Sequence, residues 1–411
     1  MTGRGRNGAR VPIRRSSRLT TVSDDAARWS LATRLVRAGR VSPHERTAVN
    51  PPIQRGSTVL FSDIEALHGP GKSYGLEGFD VHDALTAALA DISSAAGATL
   101  APSGLAACTV ALLSFVSTGG EVLVTDSVYA PTRRFCDGLL ARMGVTTRYF
   151  DPRIGAGIAD LISDRTQVIF LESPGSLTFE IQDVPAITRA ARTRNVISII
   201  DDTWSAGVLF KPFDHGVDVS VQALTKYQAG HADVLLGATL ARDPQHMARL
   251  FRTGKELGIG CGSAEDAYLT LRGLRTMPLR MERQAASALR IAQWLEQRDD
   301  VSSVLHPALP SHPDHALFQR DFSGAAGVFA FTLPRSTTDR ALAAMLDGLS
   351  LFGLGFSWGG YESLAVNCTE QFVRKTAAWK DSGPIVRLSI GLEDPDDLIA
   401  DLDAGFARLH A

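Results

Sequence analysis

A large α/β domain built on a mostly parallel sheet, followed by a smaller α+β domain, is the architecture this sequence predicts. Between about residues 96 and 241, short β-branched runs that are apolar on both faces alternate with helical stretches. Strands of that kind, separated by helices, build a parallel sheet covered front and back. Past about residue 270, strand and helix patterns mix, as expected of a smaller α+β unit. Composition agrees, because 45% hydrophobic and 21% charged residues exclude both wholesale disorder and a membrane bundle. The length of 411 residues leaves room for two or three units. With 42 basic against 44 acidic side chains the net charge is -2, which argues against a dedicated nucleic-acid binder and points to small-molecule chemistry.

Taken in order, residues 1–25 form an arginine-rich arm, from Arg4 to Arg18 with no acid before Asp24, and are expected to be disordered. No useful apolar stretch follows these arginines, so export is not expected and a cytoplasmic location is. Gly3, Gly5 and Gly8 spell GxGxxG, but no strand precedes them to deliver a dinucleotide to a helix N-terminus. Strands are predicted at 121–126, 145–150, 166–173, 196–201, 217–223 and 233–241, a helical stretch with a kink or break at Pro278 over 264–297, further strands at 327–334 and 386–391, and a closing helix at 394–409. No repeat or transmembrane run is present. Cys108, Cys136, Cys261 and Cys368 form no CxxC pair, so neither a zinc site nor a disulfide framework is expected. Asn367-Cys368-Thr369 matches a glycosylation sequon that carries no meaning without secretion.

Three segments carry chemistry. In ATLAPSGLAACTVALLSF (98–115) a strand runs through Ser103-Gly104 into a helix, the geometry in which free N–H groups and the helix dipole hold an anion, although Ser103 also reads as an ordinary N-cap. VISIIDDTWSAGVLF (196–210) ends its strand on Asp201 and Asp202, where open α/β sheets bind ligands; a buried Asp201 calls for a cation such as a protonated pyridine nitrogen, and a capping aspartate is the alternative. SVQALTKYQAGHADVLLG (220–237) sets Thr225-Lys226 just past a strand, where desolvation makes a lysine chemically useful; His231 and Asp233 read as structural hydrogen-bonding groups.

This order resembles the pyridoxal 5'-phosphate (PLP) enzymes of the aspartate aminotransferase fold type. The lysine segment is similar to the cofactor-lysine motif of the Cys/Met-metabolism PLP-dependent family, and the similarity runs from about Thr33 to Leu409. FLESPGSLTFEIQDVPAI (170–187), FSWGGYESL (356–364) and VRLSIGLEDPDDLIADLDAGFARL (386–409) resemble its bacterial cystathionine β-lyase branch. The γ-acting relatives usually carry Thr-Asn where Gly175-Ser176 stands and tend to lack counterparts of Trp358 and Tyr361. The resemblance implies a type I PLP-dependent transferase fold with an arm at 26–73 for subunit contacts, a PLP-binding domain at 74–270 and a small domain at 271–411. Lys226 would bear PLP, Asp201 would partner the pyridine nitrogen, and Tyr129 would stack on the ring. Gly104 and Leu105 would offer N–H groups, and Thr225 a hydroxyl, to the phosphate. Arg387 would grip the substrate carboxylate, Ser357 and Trp358 would line the pocket, and Tyr74 would reach a neighbouring subunit's site. The implied assembly is a homotetramer of catalytic dimers acting on an amino acid, with no nucleic-acid or membrane partner.

One departure stands beside Tyr74. Relatives place a phosphate-binding arginine two residues after that tyrosine, whereas this chain has Leu76 and then Glu77. Ala223 also replaces a serine common in the lysine motif, so Lys72 or Arg55 would have to compensate for the missing cation. The implied activity is carbon-sulfur β-elimination from cystathionine or another cysteine S-conjugate, giving a thiol, pyruvate and ammonia, in methionine biosynthesis. A diverged enzyme of γ-elimination or replacement is the alternative, and a PLP-binding regulator that lost catalysis is the alternative of another class.

Overall fold

The computed structural model describes residues 29–40, 48–376 and 383–409; the arginine-rich arm lies outside them. The described residues contain a large sheet of seven strands: β1 (Gly97–Ala101), β2 (Glu121–Thr125), β3 (Thr146–Phe150), β4 (Thr166–Glu172), β5 (Ile197–Asp201), β6 (Val219–Gln222) and β7 (Gly237–Ala241). Their spatial order is β1-β7-β6-β5-β4-β2-β3, with only β7 antiparallel to its neighbours.

The double apolar faces predicted from sequence have a direct counterpart. Val122 and Val124 of β2 and Phe170 of β4 pack on one side, against Ala111 and Leu112 of the helix Gly104–Phe115. Leu123, Ile169 and Leu171 pack on the other, in the core that holds Leu85 and Leu89 of the helix Asp80–Ser93 and Ile187 of the helix Val184–Thr193. Successive side chains on a strand point to opposite faces, so both cores need apolar residues at every position of the same short strands.

One local expectation changes and another is met. Strand β7 starts only at Gly237, not at Asp233, because Leu236 is used elsewhere: its carbonyl accepts from the Thr225 N–H at 3.2 Å and its N–H donates to the Thr225 hydroxyl at 3.1 Å. The stretch 264–297 is two helices, Ala264–Leu274 and Met277–Leu295. Pro278 stands in the first turn of the second, where a missing N–H costs nothing, so the proline marks a break.

The second sheet, β8 (Ser303–Leu305), β9 (Val328–Thr332), β10 (Gly353–Leu354), β11 (Leu364–Asn367) and β12 (Ile385–Ser389), has the order β10-β11-β12-β9-β8. Its core joins Phe329, Phe331 and Leu388 to Ile291 and Leu295 of the helix Met277–Leu295 and to Leu402 and Phe406 of the helix Pro395–Leu409. Trp204, just past β5, donates its indole N–H to the Val328 carbonyl at 3.2 Å and thereby ties this sheet to the open ends of the large one.

Candidate active site

The C-terminal ends of β4, β5 and β6 open into a cavity of about 530 Å³. Lys226, Asp201, Tyr129, Gly104, Leu105, Thr225, Ser357, Trp358 and Arg387 all line it, although they come from positions between 104 and 387. Tyr74 does not line it: the tyrosine is 54% exposed, pairs with Thr58 in an isolated bridge, and lies apart from its own chain's cavity.

Lys226 follows β6 and turns inward, donating from Nζ to the Ser357 hydroxyl at 2.6 Å and lying 5.4 Å from the centre of the Trp358 ring. Burial, helped by the nearby Arg387 charge, brings its ammonium down to about 8, against a smaller opposing pull from Asp201. Lys226 is therefore neutral in a larger minority of molecules near physiological pH than an ordinary lysine is. Asp201 ends β5 at the floor of the cavity. Burial raises its carboxyl, while Oδ1 accepts from the Thr203 N–H at 3.0 Å and hydroxyl at 2.5 Å. The other oxygen has only a weak contact with the Cys108 thiol at 3.8 Å, which leaves it open to a stronger donor.

Ser103 is the N-cap of its helix, accepting from the Ala106 N–H at 3.1 Å, so the capping reading of this segment holds. Capping uses the hydroxyl and leaves the N–H groups of Gly104 and Leu105 without an acceptor among the described residues. A side chain at 104 would put its Cβ 2.5 Å from the Ala223 Cβ, so glycine is what lets the helix start abut the end of β6. Arg387, on β12, donates to the Ser357 carbonyl at 2.9 Å, and its buried Nε has no partner among the described residues. Ser357 adopts a positive φ of 80° and so presents its carbonyl to Arg387 and its hydroxyl to Lys226.

These groups fit PLP: two N–H groups at a helix start without an acceptor among the described residues for a phosphate, a carboxylate with an open oxygen for a pyridinium, an amine lowered to about 8, and a half-exposed Tyr129 ring. Thr225 fits less well, because its hydroxyl already bonds the Leu236 carbonyl and N–H. Neither proposed compensating cation enters the cavity, since Lys72 pairs with Asp83 at 2.5 Å and Arg55 pairs with Glu265. Glu77 is matched by Lys255 at 3.2 Å, and Leu76 packs beside Gly260, lining a separate cavity of about 150 Å³. His231 bonds the Ala229 carbonyl at 2.7 Å, the structural role expected of it, and no cluster of potential metal ligands exists among the described residues.

Glu172 and Arg374 are among the lining residues that the sequence reading did not single out. Glu172 ends β4 in register with Asp201 and accepts from the Tyr129 N–H at 2.6 Å; burial, reinforced by Asp201, pushes its carboxyl well above the usual range. The strand-end logic that singled out Asp201 applies equally to Glu172. Arg374 reaches the cavity from a loop of the second sheet, and nothing in its local sequence signals this.

A family model described as Cys/Met metabolism PLP-dependent enzyme matches residues 32–407. The chain belongs to that family. PLP is the cofactor of the Cys/Met-metabolism enzymes and supplies an electron sink for negative charge developing at a substrate carbon. Among its curated members, a cystathionine β-lyase of Escherichia coli is 43% identical over 394 residues, 92% of this chain and 98% of the other. An L-alanine/L-glutamate racemase of Wolbachia pipientis is 38% identical over 392 residues, 91% and 96% of the two chains. A solved cystathionine γ-synthase of Xanthomonas oryzae superposes with a TM-score of 0.87 at 32% identity, covering 93% of this chain and 99% of the other.

Proposed function

We propose that this protein is a carbon-sulfur β-lyase that cleaves cystathionine or a related cysteine S-conjugate to a thiol, pyruvate and ammonia. The observation that carries the reading is the meeting of Lys226, Asp201 and Arg387 in one cavity, in a chain whose relatives include cystathionine β-lyases at 41% to 48% identity. Arg387 holds the substrate carboxylate through its planar fork and turns the Cα–H toward Lys226. Lys226, whose burial makes its neutral form more available than in an ordinary lysine, takes that proton and supplies one to the departing thiolate. Asp201 partners the cofactor's ring nitrogen through its open oxygen, Gly104 and Leu105 donate to its phosphate with Thr225 beside them, and Tyr129 covers its ring. Ser357 orients both Lys226 and Arg387, and Trp358 walls the substrate side.

The same reading places the break between PLP-binding and small domains near residue 270, brings Tyr74 to a partner subunit's cavity in a homotetramer of catalytic dimers, and locates the enzyme in the cytoplasm. Among the described residues no helix is long and apolar enough to cross a membrane. A second reading has a specific support in the racemase relative: the same proton removal at Cα, followed by return without elimination. Retention of every reactive group in one cavity argues against a regulator without catalysis.

The deciding experiment incubates the PLP-loaded enzyme with cystathionine, other cysteine conjugates and L-alanine, and measures pyruvate, α-ketobutyrate and D-alanine. Pyruvate from the sulfur substrates supports the β-lyase; α-ketobutyrate alone or D-alanine alone would replace it with γ-elimination or racemisation.

A further inference from the structure

Between β11 and β12 the chain leaves the second sheet and crosses to the rim of the cavity, where Phe372, Val373 and Arg374 form part of the wall. Arg374 anchors this crossing. Its side chain is 9% exposed and donates to Glu180 and to the Thr178 hydroxyl, each at 2.5 Å, and also to the Asp126 carbonyl. The neighbouring residues reinforce the attachment, because the Asp126 carboxylate accepts from the N–H groups of Lys375 and Thr376, each at 2.7 Å.

The anchor points are not generic surface. Thr178 and Glu180 close the turn 175–180, which carries Leu177 and Phe179 in the cavity wall at positive φ of 70° and 57°. Non-glycine residues are held there only when surrounding bonds over-determine them. Gly175 is pressed against this arrangement, since a Cβ there would lie 2.6 Å from the Ser127 Cβ and 2.9 Å from Glu180 Oε2. A guanidinium bonded through both terminal nitrogens to three acceptors fixes direction as well as distance. None of these bonds reaches Lys226 or Arg387.

We propose that Arg374 is a positioning residue for the cavity beyond the substrate α-carbon: it ties the crossing from the second sheet to the 175–180 turn, so that one wall shape meets the group departing from Cβ. The proposal rests on the cavity being the substrate site of the reading above. A ligand that needs only Lys226 and Arg387, such as glycine, is indifferent to Arg374, whereas a long thioether senses it.

The experiment compares PLP-loaded wild type with Arg374→Lys, Arg374→Met and the double variant Arg374→Met/Glu180→Gln. Each is titrated with glycine and with cystathionine by cofactor absorbance, and thermal unfolding is recorded alongside. Arg374→Met should weaken cystathionine about tenfold or more while glycine stays within about twofold, with Arg374→Lys between. Adding Glu180→Gln removes the orphaned buried acid and should recover thermal stability without recovering cystathionine affinity. Equal loss for both ligands, or unchanged cystathionine binding in a folded variant, overturns the proposal; if Arg374→Met does not fold, the other two variants carry the same comparison. Pyruvate release by wild type is measured separately, so a failed lyase reading is distinguishable from a failed role for Arg374.

Discussion

In the proposed lyase, Lys226 and Arg387 divide the work of the cavity by their different chemistry. An amine brought down to about 8 by burial and the Arg387 charge is half neutral at that pH, whereas an ordinary lysine near 10.4 is neutral in only about one molecule in 250. Apoenzyme treated with an amine-directed acylating reagent should therefore label Lys226 with a midpoint near pH 8 in peptide mass mapping, ahead of the other lysines. A midpoint above 10 would remove the desolvated setting from the account. Arg387 has a different readout, because its fork donates to Ser357 and makes no hydrogen bond to Lys226 or Asp201 among the described residues. Arg387→Lys should lower kcat/KM about tenfold to a hundredfold through the loss of bidentate grip, with the cofactor absorbance unchanged.

At the scale of elements, the proposed phosphate site lies at the first turn of the helix Gly104–Phe115, and that turn depends on the approach of Gly104 to Ala223. Gly104→Ala must push the helix start away from β6, and PLP titration of the apoenzyme should show affinity reduced about tenfold or more. Undiminished affinity would mean that these two N–H groups are not the phosphate donors. This helix, the strand end at Asp201 and the lysine after β6 were all legible as local patterns, since each couples a short apolar run to one polar residue at its end. The start of β7 was not legible, because the apolar Leu235 and Leu236 suit a strand equally well and only the pairing with Thr225 removes them from it.

For the whole molecule, the joint between the two sheets is partly electrostatic. Burial alone would raise the Asp126 carboxyl, but the N–H groups of Thr376 and Lys375 and the Arg133 guanidinium more than offset it and hold it below the usual range. A lowered carboxyl contributes stability that is present above its unfolded value, near 3.9, and lost as pH falls through the folded value. Asp126→Asn should cost about 2 kcal/mol at neutral pH and give a shallower fall in Tm below pH 4 than wild type, measured by thermal unfolding across pH. The exposed Tyr74, which does not line its own chain's cavity, makes a second prediction. Tyr74→Phe and Lys226→Ala should each be weak alone, and refolding the two together should restore activity if each subunit lends its tyrosine to the other's site; additive weak activity would place Tyr74 outside the site.

The order of apolar runs and helices determined the covered, mostly parallel sheet, since burial on two faces leaves its mark on every residue of a strand. Motif spacing likewise singled out Lys226, Asp201 and the Ser103-Gly104 turn, which the fold brings to one cavity, because each is read from its immediate neighbours in the chain. The tertiary structure alone decided that Arg374 meets Glu180, that Lys72 and Arg55 spend their charges on Asp83 and Glu265, and that Leu76 turns toward Gly260. Those outcomes join residues up to 210 positions apart, as Arg55 and Glu265 show. Which charge finds which partner at that separation depends on how the two sheets pack, and no local pattern in the chain encodes it.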